Sequence, residues 1–269
     1  MKPSVLTKSA LALVMGIAFS ATSGGQEIKA HNSRQGYLQP GVVDILSILP
    51  PAPVVGDARY NADREIFKST RRYINTPRWN LATNDVRYDN TSMYRDFSCA
   101  LGVALTPELA PNLTKLLNKA GNDTQRETNV AKNFNKRLRP YKIDEGDICQ
   151  PKSELGDSYD YPSGHTTGGW TWALVLSDVA PERASQIMAR GRAYGESRIV
   201  CGAHNASAVD NGRLSATVTM VSVRNTATYQ RDLRAARLEV SSLRRTAPIP
   251  TQCEAEAALI KENIFSPVP

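Results

Sequence analysis

Apolar residues recur along this chain with the spacing of helices and almost nowhere with that of strands. Tyr60, Phe67 and Ile74 return every seven residues on one helical face, and Pro77 is expected to stop that run. Pro111 suits the opening of another helix, with Leu113, Leu116 and Leu117 on its buried side and Gly121 as its stop. Asn122 resembles a cap, with Gln125 three residues on, and it starts a segment whose Val130, Phe134 and Leu138 stand at i, i+4 and i+8 before Pro140. Residues 141–161 are rich in Asp, Gly, Ser and Pro and predict a long loop, whose length points to a function. Helices resume at about 164–179, 182–198, 206–224 and 227–244, with one short strand-like ambiguity around Thr217 to Val223. The pattern predicts an all-α fold, a single compact helical domain over 57–269. An extended lead-in at 25–56 precedes it, and there Leu49-Pro50-Pro51-Ala52-Pro53 favours polyproline II.

Composition adds an address. Lys2 and Lys8, the apolar run Ala10 to Phe19 and the small residues at 20–25 make residues 1–24 a secretory signal. The run is too short to span a bilayer and no later window is apolar enough, so no membrane association of the exported protein is expected. With Lys2 and Lys8 removed, the formal charge falls from +7 to +5. That mild excess suits anionic ligands, and the scattered basic residues with no aromatic-interleaved stripe argue against nucleic acid as a partner. Cys99, Cys149, Cys201 and Cys253 include no C-x-x-C, which argues against a zinc knuckle or redox motif. In an exported chain they predict one or two disulfides, and the sequence leaves all three pairings open.

The candidate chemistry lies in three stretches. Of the three histidines, His31 falls in the lead-in, which leaves His165 and His204. Lys132 and Arg139 are seven residues apart; on a helix that is about 700°, so both cations are expected on one face, two turns apart. Pro162-Ser163-Gly164-His165 ahead of a helical segment makes a turn that leaves backbone N–H groups open at a helix start, a ready anion site. In the third stretch Arg198 nears a helix end, Gly202 breaks the helix and His204 follows. Gly191 and Gly195 permit close helix packing. The acids Asp144, Glu145, Asp147, Asp157 and Asp160 fit no calcium loop and read as a solvated loop.

Taken in order, a lysine, six residues and Arg-Pro, then Pro-Ser-Gly-His, then Ser-Arg, five residues and histidine, resemble a known signature. It is that of the superfamily of type 2 phosphatidic acid phosphatases and vanadium haloperoxidases. Leu-Pro-Pro-Ala-Pro, Lys-Arg-Leu-Arg-Pro, the Cys149 loop and Gly-Glu-Ser-Arg-Ile-Val-Cys-Gly-Ala-His are similar to the bacterial class A non-specific acid phosphatases, over roughly residues 45–245. The resemblance implies an all-helical fold, export to the periplasm, a homodimer, and hydrolysis of small phosphate monoesters with no metal or other cofactor. By motif position it implies that Lys132, Arg139, Arg198, Ser163 and Gly164 bind phosphate. His204 would then be the nucleophile, forming a phosphohistidine, and His165 the general acid. Phosphoryl transfer spreads negative charge over equatorial oxygens, so three fixed cations suit it, and the two imidazole roles predict a bell-shaped acidic pH profile.

One position departs from that family. The pattern has an aspartate four residues after the nucleophile, and here it is Ala208. Asp210 would not face His204, and Asn205, Ser207 or a backbone carbonyl is left to orient the ring. Two alternatives therefore accompany the phosphatase reading. One is a weak or inactive phosphate-binding relative, and the other is a vanadate-dependent haloperoxidase, whose chain is normally much longer.

Overall fold

The computed structural model describes Met1 and residues 35–266; the signal segment, the first part of the lead-in and His31 lie outside the described residues. These fold as eleven α-helices with no strand among the described residues. The helices are α1 (Ile45–Ile48), α2 (Ala58–Thr70), α3 (Pro77–Asn84), α4 (Asn90–Leu101), α5 (Pro111–Asn135), α6 (Lys152–Leu155), α7 (Gly164–Val179), α8 (Ala184–Val200), α9 (Ala206–Arg224), α10 (Ala227–Leu243) and α11 (Cys253–Lys261). None is long and apolar enough to cross a membrane.

Helix α7 occupies the middle and packs on α5, α8 and α9. Its sequence is apolar or small nearly all round, as a helix enclosed on every side requires. Glycines bring the neighbours close: a Cβ on Gly191 would lie 2.5 Å from the Ala173 methyl, and one on Gly195 would lie 2.9 Å from Thr166. The main core gathers Phe97, Leu113, Leu116, Trp172, Val175 and Tyr229 from α4, α5, α7 and α10.

Three expectations change. Pro77 does not stop a helix but opens one, at the first position of α3 with Thr76 as its cap. The preceding run has already ended, through a 3₁₀ turn at Arg71–Tyr73 and a left-handed Asn75 (φ 64°). Gly121 and Asn122 do not divide two helices, because α5 runs through both for 25 residues. The stripe Val130, Phe134 and Leu138 faces solvent, with Phe134 70% exposed, while Asp123, Thr124, Glu127, Thr128 and Lys132 are buried. This helix turns polar residues inward because its second half lines a polar site.

The lead-in is more than a spacer. Val43, Ile45 and Leu49 bury themselves against Ala131 of α5. The Tyr161 hydroxyl donates to the Pro50 carbonyl at 2.6 Å, which ties the proline segment to the turn before α7. Two disulfides settle the pairing: Cys99–Cys253 fastens the C-terminal segment to α4, and Cys149–Cys201 fastens the long loop to the end of α8. Each is worth about 2–4 kcal/mol through the loop it closes in the unfolded chain.

Candidate active site

Arg198 and His204 are joined by a tight reversal. Helix α8 ends at Val200, Gly202 adopts φ 77°, and the amides of Ala203 and His204 both donate to the Arg198 carbonyl (3.1 and 3.2 Å). The imidazole is thereby folded back over the last turn of α8. A side chain at Gly202 would be strained, and its Cβ would lie 2.6 Å from the Arg71 guanidinium. The Cys149–Cys201 bond and a Cys149 N–H to Cys201 carbonyl bond (3.0 Å) hold the long loop against this reversal. Gln150 then accepts a hydrogen bond from Arg198 Nη2. Arg198 is wholly buried, and its Nε and Nη1 have no partner among the described residues. Burial pushes its guanidinium down to about 10.

Lys132 and Arg139 reach the same place by another route than the expected one. Helix α5 ends at Asn135 and Lys136 turns left-handed (φ 48°), so Arg139 stands on an extended segment rather than on the helix face of Lys132. The break lets the chain double towards the site. Lys132 Nζ donates to the Tyr159 carbonyl at 2.7 Å. Arg139 donates to the Ser158 carbonyl (2.7 Å) and, through Nη1, to the Ala203 carbonyl (2.9 Å). Burial, with the Arg139 charge beside it, pushes Lys132 down to about 7, against the pull of Asp160.

The hydrogen bonds of His204 fix its tautomer. Nε2 lies 2.9 Å from Arg139 Nη1 and Nδ1 lies 3.0 Å from Asp160 Oδ1. A guanidinium only donates, so Nε2 must hold a lone pair, and the proton sits on Nδ1 facing the carboxylate. Burial first, then Arg139, Lys132 and Arg198, hold His204 well below the usual histidine range, so it is neutral.

Asp160 corrects the solvated-loop reading of that residue. It is 0% exposed and accepts from Asn205 N–H (3.1 Å) and Asn205 Nδ2 (2.8 Å) as well as from His204. The other loop acids differ: Asp144 pairs with Arg64, while Glu145, Asp147 and Asp157 are exposed. Ser207 does not touch the imidazole; its hydroxyl bonds Asp63. Asp210 points outward and pairs with Arg213.

Ser163 caps α7, its Oγ accepting from Thr166 N–H (3.3 Å) and the Thr166 hydroxyl (3.0 Å). Its own N–H goes to the Ala208 carbonyl (2.9 Å). Gly164 and His165 form the first turn, where amides have no intrahelical acceptor. His165 Nε2 faces the Val86 carbonyl at 2.8 Å and so carries a proton, leaving Nδ1 as the nitrogen that can gain or lose one. Burial and then the Arg198 charge push His165 down to about 3, opposed by the Val86 carbonyl; the Arg139 and Lys132 charges push it down further, by less. Both late imidazoles thus share the field of one cationic trio.

Among the described residues no three His, Cys, Asp or Glu side chains are placed to hold a metal. Sequence reasoning missed Asp160, Arg137 and Gln150. The doublet Arg137–Arg139 was visible, but nothing in the spacing says that Asp160 turns inward.

A family model described as the PAP2 superfamily matches residues 113–232. An acid phosphatase of Zymomonas mobilis is 35% identical over 247 residues, covering 89% of this chain and 92% of that protein. A non-specific acid phosphatase of Providencia stuartii is 31% identical over 248 residues, 91% of this chain and 100% of the relative. One from Salmonella typhimurium is 34% identical over 199 residues, 72% and 78% of the two chains.

Proposed function

The chain belongs to the non-specific acid phosphatases of the PAP2 superfamily, and on that premise we propose that it hydrolyses small phosphate monoesters through a phosphohistidine at His204. The observation that carries this reading is Arg198, a buried guanidinium with two open donors beside a neutral imidazole whose lone pair faces the same cations. An unpartnered buried cation is costly, and a bound oxyanion removes that cost.

The remaining donors are held by neutral oxygens of the chain itself: Tyr159 and Ser158 carbonyls on Lys132 and Arg139, and the Gln150 amide on Arg198. Phosphoryl oxygens bind in their place with full charge. His204 Nε2 attacks phosphorus, the P–O bond to the leaving group breaks, and His165 Nδ1 gives its proton to the departing alkoxide. Water then cleaves the P–N bond, its proton returning to His165. Burial and the cationic field keep His165 neutral; a bound phosphate dianion offsets that field and lets it take up the proton it must donate. Lys132, Arg139 and Arg198 neutralise the transferring group, a task that metal ions perform in other phosphoryl-transfer enzymes, so turnover should persist in a chelator. The signal-like leader sends the enzyme to the periplasm.

Rapid alkaline quench with 32P-labelled p-nitrophenyl phosphate tests this, because a phosphoramidate is acid-labile and base-stable. The quenched and neutralised protein should carry label on the peptide containing His204 and lose it in His204→Ala. Label on His165, or full turnover by His204→Ala, would refute the assignment.

A further inference from the structure

The family pattern has its orienting carboxylate four residues after the nucleophile, on the helix that follows it, and this chain has Ala208 there. Ala208 is wholly buried, and its carbonyl accepts from the Ser163 amide. The carboxylate that faces the ring comes instead from the end of the long loop. The geometry points to Asp160 as the positioning residue of this site: it holds the Nδ1–H tautomer of His204, keeps the Nε2 lone pair aimed at the phosphate, and stabilises the charge that Nδ1–H shares once Nε2 is phosphorylated. This rests on the reading of His204 as nucleophile.

Three observations carry it. The first is contact: Asp160 Oδ1 is 3.0 Å from Nδ1, and the ring's other nitrogen is fixed as an acceptor by Arg139. The second is ionisation. The groups that meet Asp160, namely His204 Nδ1–H, Asn205 N–H and Asn205 Nδ2, are donors, so it serves as an acceptor-only carboxylate. The Asn205 amide is held in that orientation, since its Oδ1 accepts from Arg64 Nη2. The third is bracing. Arg137 Nη1 stands 3.5 Å from Asp160 Oδ2, and Arg137 Nη2 is itself tied to Asp63 at 2.7 Å. Asp63 accepts the Ser207 amide (2.9 Å) and hydroxyl (2.5 Å), which locks the start of α9 into the same cluster. The Asp160 amide also donates to the Arg137 carbonyl at 2.8 Å. A solvated loop acid has none of this support, and a carboxylate that served folding alone would have no reason to select one imidazole tautomer.

The consequence removes the argument for an inactive relative. That alternative drew its force from the missing carboxylate at position 208, and the ring has a carboxylate after all.

The sharpest test uses the unsubstituted protein with 15N-histidine, where three imidazoles are few enough to assign with His165 and His204 variants. His204 is expected to show a protonated Nδ1 and bare Nε2, and His165 the reverse; a protonated Nε2 on His204 would overturn the inference. In parallel, Asp160→Asn turns an amide N–H towards Nδ1 and favours the wrong tautomer. Its kcat for p-nitrophenyl phosphate should fall about 10²- to 10⁴-fold with KM changed less than about threefold. Ala208→Asp alone should bring no gain, because Nδ1–H already has its acceptor; a gain above about threefold would contradict the relocation. His204→Ala separates the two claims. If it abolishes turnover while Asp160→Asn leaves kcat within about threefold, this inference fails alone; if His204→Ala itself turns over, the underlying mechanism fails.

Discussion

Arg190 and Arg198 stand eight residues apart on α8, both 0% exposed, and their surroundings differ in kind. Arg190 meets Asp85 with two nitrogens (2.6 and 3.2 Å) and gives its Nε to the Asp96 carbonyl at 2.9 Å. Asp85 in turn accepts from Ser197, which also meets Arg78. Burial would lower the Arg190 pKa, but Asp85 outweighs it and the guanidinium is held above its usual range. Among the described residues Arg198 has no carboxylate partner: it bonds Gln150 through Nη2 and leaves Nε and Nη1 open. One helix therefore carries a cation whose charge serves the fold and another whose open donors suit the proposed phosphate site. Burial alone does not separate the two; among the described residues Arg198 is the arginine with two buried donors left open.

The largest effects should come from exchanging these two residues for methionine, with opposite outcomes. Arg198→Met should cut kcat/KM about 10³-fold, the scale of a lost transition-state donor or arginine, and leave the thermal midpoint unchanged or raised. Arg190→Met strands a buried Asp85 and should cost about 3–5 kcal/mol of stability, while kcat per folded molecule stays within about threefold. Urea melts beside pNPP kinetics separate them. If both variants lose stability and activity in proportion, the distinction between the two sites is wrong.

A smaller effect concerns pH. Lys132 sits at about 7 because of burial and Arg139, so it is charged below that value and loses its charge above it. The alkaline limb of kcat/KM should therefore fall about tenfold per pH unit above about 7. Stability runs the other way. The unfolded lysine keeps its proton to about 10.4 while the folded one has lost it, so the empty protein gains stability from Lys132 as pH rises from about 7 to 10. Lys132→Arg keeps its charge and should move the alkaline limb upward, at a lower maximum rate. An unmoved limb would assign it to another group.

The same contrast explains what the sequence disclosed. Helix α7 and α9 match their expected limits, and the glycine pair on α8 packs closely, because these elements bury apolar or small residues as periodicity assumes. Helix α5 violates that assumption. In its second half Val130 and Phe134 face water, as does Leu138 on the segment beyond it, and the buried side carries Glu127, Thr128 and Lys132, so reading the core from apolar positions selects the wrong face there. The proposed site residues Lys132, Arg139, Arg198, His165 and His204 could be singled out through motif order, although Arg139 arrives from an extended segment. Ser163 was singled out too, and its hydroxyl is engaged as the cap of α7. Asp160 was not legible. Its role depends on where a loop of mixed polar residues crosses the end of α8, and that is set by the Cys149–Cys201 bridge and the Asn205 amide, neither of which leaves a periodic trace.

The central claim is that the open donors of Arg198 complete a site for a tetrahedral oxyanion. Isothermal titration with orthovanadate at about pH 6, on the unsubstituted protein and on Arg198→Met, addresses it most directly. The account predicts one saturable site per chain in the first and an affinity at least about 100-fold weaker in the second, with both proteins equally folded. Equal affinities would contradict it.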